Sequence, residues 1–239
     1  MDFAIEFDEY TKQYGSSVVV DGLSFQVNRG SVVGLLGPNG AGKSTAMRGL
    51  VGLSHPTSGA ARIFGEEFAR LSEPASVVGV HMDGFGFETG ISARRHLEIC
   101  RLAAGVSKAR VGAVLEEVGL REHARKRVKQ YSTGMVQRLG LAVALLAEPK
   151  ILILDEPANG LDPEGIRWLR KFIRSYAERG GTVLVSSHQL RELEQIVDEV
   201  VVMNKRLLYS GALANLLGKK DASLEDRYFD LVDSSIAGS

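Results

Sequence analysis

The fold of this 239-residue chain is decided by the stretch Gly37-Pro38-Asn39-Gly40-Ala41-Gly42-Lys43-Ser44-Thr45. It fits the phosphate-binding pattern of a glycine, four residues, a glycine, a lysine and then serine or threonine. The apolar run 32–36 before it predicts a buried strand, and residues 46–50 after it predict a helix. Strand, glycine-rich loop and helix in this order are the context in which the pattern binds phosphate.

The residue types of the loop suit a nucleotide. Glycines let the backbone turn tightly, so that successive N–H groups converge on one anion, and the following helix presents the positive end of its dipole to the same anion. Lys43 is placed to reach the β- and γ-phosphates, and the hydroxyl of Ser44 is placed to bind magnesium. The alternative is a glycine-rich turn without a ligand, and the loop alone does not say how a nucleotide is used.

Composition restricts the class of protein. Hydrophobic residues make up 44% and charged residues 24%, as in soluble globular proteins. The 29 Lys and Arg balance the 29 Asp and Glu, which argues against binding to nucleic acid through phosphate neutralisation, so we expect no nucleic-acid partner. The start of the chain does not resemble a secretory leader, and the apolar run 139–147 is too short to span a membrane. We therefore expect a cytoplasmic chain.

The hydrophobic pattern predicts an α/β fold in several segments. Residues 18–27 alternate as antiparallel strands do, and residues 92–147 predict consecutive helices that begin with Ser92 as N-cap. Within that region, the basic run 121–129 is interpreted as a solvated helix face, and contact with nucleic acid or lipid headgroups is the alternative. Strands are predicted again at 60–64, 77–80, 151–154, 182–186 and 200–203, and a helix at about 163–179. Runs that are apolar on both faces are typical of a central parallel sheet.

Polar groups follow several of these strands. Asp155-Glu156 come directly after the strand 151–154, and His188 follows the strand 182–186. Because ligands of parallel sheets bind at the carboxyl ends of the strands, we expect these groups to lie beside the phosphate loop. Asp155 is then placed to hold magnesium, Glu156 to act as general base on an attacking water, and His188 to contact the γ-phosphate. The alternatives are a helix cap or turn for the carboxylates and a surface or core histidine.

Together these motifs resemble the ATP-binding subunit of ABC transporters over nearly the whole chain. Residues 159–163 resemble the family's D-loop and residues 186–188 its switch-histidine loop, and Tyr14 occupies the position of its adenine-stacking aromatic. The resemblance implies a P-loop ABC cassette with a mostly parallel core sheet, an N-terminal antiparallel β-subdomain and an inserted helical subdomain at about 84–148. It implies an ATPase domain of residues 1–218 and a tail, 219–239, with a short amphipathic helix.

The most specific motif is Tyr131-Ser132-Thr133-Gly134-Met135, which resembles the signature that distinguishes ABC proteins from other P-loop ATPases. Ser132 and Gly134 fit the usual leucine-serine-glycine-glycine-glutamine pattern, and the other three residues depart from it. This variant resembles the form found in bacterial ABC-2-type drug and antibiotic exporters. In the family, the signature of one subunit caps the γ-phosphate held by the other, which implies a homodimer that binds ATP and Mg²⁺.

The resemblance also implies where the chain works. We expect it to power export through a transmembrane permease on a separate chain, and to lie peripherally on the inner face of the cell membrane. The loop 83–90 and the helical subdomain are the expected contacts with the permease. Asp83 is closest to the position of the family's Q-loop glutamine, and it becomes a third candidate metal ligand beside Ser44 and Asp155. An ionised carboxylate at Asp83 can accept but not donate a hydrogen bond.

Two other functions are compatible with parts of the sequence. A non-transport ABC ATPase that acts on ribosomes or DNA usually carries two cassettes or long insertions, and neither is recognisable here. A small P-loop GTPase or kinase is the other alternative. Residues 204–207 begin like a guanine-binding motif but lack its aspartate, and this alternative leaves the signature stretch unexplained.

Overall fold

The computed structural model describes residues 3–82, 86–218 and 222–237. The strands are β1 Phe3–Tyr14, β2 Ser17–Asn28, β3 Val32–Leu36, β4 Ser58–Ile63, β5 Val78–His81, β6 Ile151–Asp155, β7 Thr182–Ser186, β8 Glu199–Asn204 and β9 Arg206–Ala212. The α-helices are α1 Lys43–Leu50, α2 Pro74–Val77, α3 Ala93–Ala103, α4 Lys108–Glu117, α5 Thr133–Leu145, α6 Pro163–Glu178, α7 Leu190–Glu194, α8 Leu213–Leu217 and α9 Leu224–Ala237.

A six-stranded sheet in the order β5-β6-β7-β3-β8-β9 forms the centre of the molecule. Its first five strands are parallel, and β9 pairs antiparallel with β8. The three strands that precede the predicted site motifs, β6, β7 and β3, are direct neighbours. Their carboxyl ends therefore bring the paired carboxylates, the switch-histidine segment and the phosphate loop to one edge of the sheet.

The central strands β3, β6 and β7 are buried on both faces, because they are apolar at successive positions. Val33 and Leu35 point into a core shared with the N-terminal sheet and α1, whereas Val32 and Leu36 point into a core shared with the helices. A polar residue at any of these positions would be buried in one of the two cores. For this reason the strand sequences are continuous apolar runs.

A second, antiparallel sheet has the order β2-β1-β4 and packs over the phosphate-loop side of the central sheet. The α/β cassette with an N-terminal antiparallel part, a mostly parallel core sheet and a helical part is thereby confirmed. Strand β1 was not predicted, although it pairs with both neighbours. Irregular register between Phe7 and Tyr10, with Glu9 at a φ of 47°, interrupts the alternation from which a strand is recognised.

The helical region differs from the prediction at one place. Helix α3 begins after Ser92, whose Oγ accepts a hydrogen bond from the backbone N–H of Arg95 at 3.2 Å, as predicted. The basic run 121–129 is not an α-helix, because it forms two short 3₁₀ turns, Arg121–His123 and Val128–Gln130. Their buried residues Ala124 and Val128 hold the segment against the helices, while its basic side chains face solvent.

Two further features bear on the predictions. Residues 204–206, which begin like a guanine-binding motif, form the tight turn of the β8–β9 hairpin. No helix within residues 3–82, 86–218 and 222–237 is long and apolar enough to cross a membrane.

Candidate nucleotide site

The phosphate loop takes its shape from glycines that no other residue could replace. A Cβ atom on Gly37 would lie 2.2 Å from the carbonyl oxygen of Met203 in β8. Gly42 has a φ of +97°, and its Cβ would lie 2.7 Å from the carbonyl oxygen of Val19 in β2. The loop is therefore pressed between the two sheets. Within it the N–H of Ala41 donates to the carbonyl oxygen of Pro38 at 3.1 Å, and the N–H groups in the first turn of α1 are left to bind an anion.

Lys43 is folded over this loop. Its ammonium donates hydrogen bonds to the carbonyl oxygens of Gly37 at 2.6 Å and Pro38 at 3.3 Å, and the residue is 8% exposed. Burial lowers the pKa of Lys43, while the nearby carboxylates of Glu156 and Asp155 act in the opposite direction. A phosphate in the loop adds a negative charge beside the ammonium and thus favours its charged form.

The carboxylate of Asp155 is held in a fixed orientation by a residue of the next strand. Asp155 and Ser186 are partners in the β6–β7 ladder, and Ser186 Oγ donates a hydrogen bond to Asp155 Oδ1 at 2.6 Å. The same hydroxyl accepts a hydrogen bond from the backbone N–H of Glu156 at 2.9 Å. Ser186 was not among the predicted site residues. It lies in the segment 186–188 that resembles the switch-histidine loop, but no role for its hydroxyl was predicted.

Glu156 and His188 form a pair beside the loop. The Nδ1 atom of His188 lies 2.8 Å from Glu156 Oε2, and the backbone N–H of His188 donates to the same oxygen at 3.3 Å. Glu156 has a φ of 50°, a left-handed conformation that is uncommon for glutamate and turns the chain sharply after β6. The prediction that these two residues lie together at one sheet edge is confirmed.

Ser132 and Gly134 lie in a different place. Ser132 is the N-cap of α5, and its Oγ accepts a hydrogen bond from the backbone N–H of Met135 at 3.3 Å. A cleft of about 420 Å³ opens at this helix end. Its lining residues are Gly119, Leu120, His123, Ser132, Thr133, Gly134, Met135, Arg138, Gly160, Leu161, Asp162 and Gly165, and none of them belongs to the phosphate loop. The predicted nucleotide contacts therefore form two separate surfaces of one chain.

Tyr14 lies at the tip of the β1–β2 hairpin and is 52% exposed. Its hydroxyl hydrogen-bonds with the hydroxyl of Ser54 at 3.2 Å, and the Lys12 ammonium lies 4.7 Å from its ring centroid. These partners are outside the phosphate loop, although Val19 of the same hairpin borders Gly42. The predicted stacking of Tyr14 on a base remains a prediction.

The residues present fit a magnesium ion that is carried in with a nucleotide. Ser186 occupies one oxygen of Asp155, and no described residue donates a hydrogen bond to the other. Ser44 lies in the first turn of α1, and Mg²⁺ typically binds one or two carboxylates or hydroxyls together with phosphates and water. In the part of the chain that the structure describes, no cluster of three His, Cys, Asp or Glu could hold a metal alone. Asp83, the third candidate ligand, lies outside the described residues.

Comparison with known proteins identifies the family. The family model described as "ABC transporter" matches residues 20–159, and a second model, described as "AAA domain, putative AbiEii toxin, Type IV TA system", matches residues 127–194. The chain is 42% identical over 240 residues to the bacitracin transport ATP-binding protein BcrA of Enterococcus faecalis, covering 99% of this chain and 77% of the relative. It is 39% identical to the lantibiotic transport ATP-binding protein SrtF of Streptococcus pyogenes, covering 81% of this chain and 84% of the relative.

Solved structures agree. An ATP-binding subunit of an ABC transporter superposes with a TM-score of 0.86 at 30% identity, covering 95% of this chain and 99% of the other. A dimeric ATP-binding cassette with bound ADP and Pi superposes with a TM-score of 0.78 at 21% identity and shares the fold, covering 88% and 99%. The family excludes the GTPase or kinase interpretation of the loop. The chain belongs to the ABC transporter family, as an ATP-binding subunit that hydrolyses ATP.

Proposed function

We propose that this chain works as a homodimeric motor that closes around two ATP molecules and drives a separate permease to export a drug or antibiotic. The observation that carries the proposal is the separation of the two surfaces within one chain. The phosphate loop with Glu156 and His188 forms one surface, and the N-terminus of α5 with Ser132 and Gly134 forms the other. Each surface supplies what the other lacks, so two copies arranged head to tail form two complete sites.

The residues of the first surface divide the chemistry between them. The loop N–H groups and Lys43 bind the β- and γ-phosphates, and Ser44 with Asp155 would hold Mg²⁺. When bound, this ion neutralises charge on the phosphates. Glu156 Oε2 is engaged by His188, whereas no described residue donates a hydrogen bond to Oε1. Oε1 therefore accepts the proton of the attacking water, and His188 keeps the carboxylate aimed and contacts the γ-phosphate.

The second surface binds the same phosphate from the opposite side. Ser132 contributes its hydroxyl, and the first turn of α5 contributes N–H groups that have no partner within the helix. In the closed dimer these groups reach the γ-phosphate held by the other copy. Closure excludes water around the phosphate, and release of phosphate weakens the contact and reopens the dimer.

The direction of transport and the class of cargo are proposed from the relatives. BcrA and SrtF are named for transport of bacitracin and of a lantibiotic, and the signature variant of this chain resembles that of antibiotic exporters. In this proposal the loop 83–90 and the helical region bind the permease. The chain then lies at the inner face of the cell membrane. Ile99 and Leu102, three residues apart on α3, are 49% and 67% exposed and offer an apolar contact there.

The experiment that tests the scheme is the substitution Glu156→Gln. An amide cannot take the proton of water, so hydrolysis should fall by roughly 100-fold or more while ATP still closes the dimer. Size-exclusion chromatography of the purified variant with ATP and Mg²⁺ should then show a stable dimer. A variant that stays monomeric and hydrolyses ATP normally contradicts the role of Glu156.

Two controls accompany it. Glu178→Gln removes the same charge at an exposed position near the end of α6 and should behave as the unmodified chain does. Lys43→Ala removes the ammonium at the phosphates and should abolish both hydrolysis and ATP-dependent dimerisation. If Lys43→Ala retains turnover, the phosphate loop is not the site of catalysis.

A further inference from the structure

Gln137 lies one turn after the signature on α5 and uses both ends of its amide. Its Nε2 lies 3.3 Å from the backbone carbonyl oxygen of Asn159, and its Oε1 lies 2.5 Å from Nε2 of His81. The orientation of the amide follows from chemistry, since a carbonyl can only accept a hydrogen bond. The NH₂ group must face Asn159, so the oxygen faces His81, and His81 must carry a proton on Nε2.

The His81 end of this bridge is tightly seated. His81 is the last residue of β5, and its ring lies against α5 where Gly140 has no side chain. A Cβ atom on Gly140 would lie 2.3 Å from Nδ1 of the ring. The imidazole is thus packed between the sheet edge and the helix, one turn below the amide of Gln137.

The Asn159 end belongs to the loop that follows the proposed general base. The backbone N–H of Asn159 donates to the carbonyl oxygen of Glu156 at 3.1 Å, so the two residues close one turn. The same loop also packs on the signature. A Cβ on Gly160 would lie 2.6 Å from Thr133 Cγ2, and one on Gly134 would lie 3.5 Å from Leu161 Cδ2. The loop after β6 is therefore held against α5 by packing at Gly160 and Leu161 and by one side-chain hydrogen bond at Asn159.

We propose that Gln137 is a positioning residue for hydrolysis. Its amide links His81 at the end of β5 to the carbonyl oxygen of Asn159. This link fixes the position of the turn at Glu156 relative to α5, the helix whose N-terminus binds the nucleotide of the other copy. Neither atom of the amide contacts the phosphate loop. Gln137 therefore acts on turnover and not on the capture of ATP. The inference rests on the proposed roles of Glu156 and of the signature.

Two substitutions separate the ends of the bridge. Gln137→Met keeps the length of the side chain and removes both hydrogen bonds. Gln137→Glu keeps an acceptor for His81 but faces the carbonyl of Asn159 with an oxygen that repels it. We expect kcat of the full chain with ATP and Mg²⁺ to fall about 10-fold to 100-fold in both variants, because a small misplacement of a catalytic group has effects of that size. KM for ATP should stay within about twofold.

Gln26→Met is the matched control. The amide of Gln26 also donates a hydrogen bond, to Glu6 Oε1 at 2.9 Å. Unlike Gln137, Gln26 lies on the antiparallel sheet, away from α5. The substitution Gln26→Met should leave kcat unchanged. Thermal unfolding of all variants identifies any that are misfolded. A misfolded variant would also bind a fluorescent ATP analogue more weakly, whereas the loss expected for Gln137 is confined to turnover.

ATP-dependent dimerisation gives a readout that a general loss of structure would disturb. Added to the Glu156→Gln background, Gln137→Met should leave the ATP concentration needed for dimerisation within about twofold. The proposal is overturned if kcat is unchanged in both variants, if Gln137→Glu turns over at the normal rate, or if dimerisation is lost. If Glu156→Gln itself hydrolyses normally, the proposed role of Glu156 fails separately.

Discussion

At the scale of the residue, the site depends on Ser186. Its side chain is fully buried, and its single hydroxyl serves two groups, the carboxylate of Asp155 and the backbone N–H of Glu156. The hydroxyl donates to Asp155, the proposed metal ligand, and accepts from the N–H of Glu156, the proposed general base. It thus links the two residues. The Asp155 carboxylate cannot turn away without breaking this buried hydrogen bond, and the same hydroxyl fixes the backbone from which the Glu156 side chain starts.

We expect Ser186→Ala to lower both stability and turnover. The substitution leaves a buried oxygen of Asp155 without this partner, which costs about 1–3 kcal/mol, and it removes the partner of the partly buried N–H of Glu156. Misplacement of Asp155 and Glu156 should lower kcat at least about 10-fold. Chemical denaturation and steady-state ATPase assays measure the two effects.

Ser31→Ala is the control for this prediction. Ser31 is 9% exposed, and its hydroxyl donates to the carbonyl oxygen of Asn28 at 2.8 Å, at the start of β3 and far from the site edge. It should lower stability without changing kcat of the folded fraction. Equal effects of both substitutions on kcat would mean that Ser186 has no special role in orienting the carboxylates.

At the scale of the element, α9 is bound to α7, the short helix that follows the switch-histidine segment 186–188. Leu224, Tyr228 and Val232 recur at a spacing of four and are buried in the core shared by the helices. Glu194, in the short helix α7 after His188, accepts a hydrogen bond from the backbone N–H of Leu224 at 2.9 Å. Arg191 of α7 pairs with Glu225 at 3.0 Å. A cleft of about 550 Å³ lies between α9, this segment and the phosphate loop.

Leu224→Ala should therefore destabilise the whole domain. Leu224 has no exposed surface, and truncation of a buried leucine costs about 2–5 kcal/mol. Denaturation in urea, followed by circular dichroism, should show a lower midpoint. A change confined to a local loss of helix would mean that α9 is a separate unit.

Phe229→Ala provides the comparison on the same helix. Phe229 is 51% exposed, so its truncation should change the free energy of unfolding by no more than about 0.5 kcal/mol. An effect as large as that of Leu224→Ala would mean that the face of α9 beside the cleft is buried in solution.

At the scale of the whole molecule, the chain presents a nucleotide side and, on the helical region, an apolar surface formed by Ile99 and Leu102. Both residues lie on α3, whose opposite side packs into the core through Ala93 and Leu97. A single exposed apolar side chain is ordinary on a protein surface, whereas two neighbouring ones on the same helix face offer a contact for another protein. We have proposed that the permease provides this contact.

Leu102→Lys should uncouple the motor from the permease. A charge at a residue that is 67% exposed costs little in the isolated chain, so basal ATPase activity and stability should be unchanged. Transport, and any stimulation of ATPase activity in the membrane complex, should fall because the charge would be desolvated on assembly. Transport assays on the co-expressed complex measure this.

Leu53→Lys tests whether the position matters. Leu53 is 57% exposed and lies after α1, away from the helical region. Its substitution should leave transport intact. Loss of transport in both variants, or in neither, would contradict the assignment of the permease surface to α3.

The sequence by itself determined the family and the chemistry of the phosphate loop. Gly37, Gly42, Lys43 and the pair Asp155-Glu156 are recognisable because a local pattern, a strand followed by a polar group, carries their function. Helix caps such as Ser92 were predictable for the same reason, since a cap is decided within four residues. The sequence also led to the proposal that a second copy completes the site, because the stretch at Ser132 resembles a signature that caps the nucleotide held by the other subunit.

Only the tertiary structure decided how these groups are held. Strand β1 escaped prediction because its alternation is interrupted near Glu9, and it is a strand because β2 and β4 pair with it on both sides. Ser186 became visible only when β6 and β7 were placed side by side. The bridge from His81 through Gln137 to Asn159 joins residues that are 56 and 22 positions apart. No local pattern encodes such contacts, because their geometry arises only when the sheet and α5 are packed together.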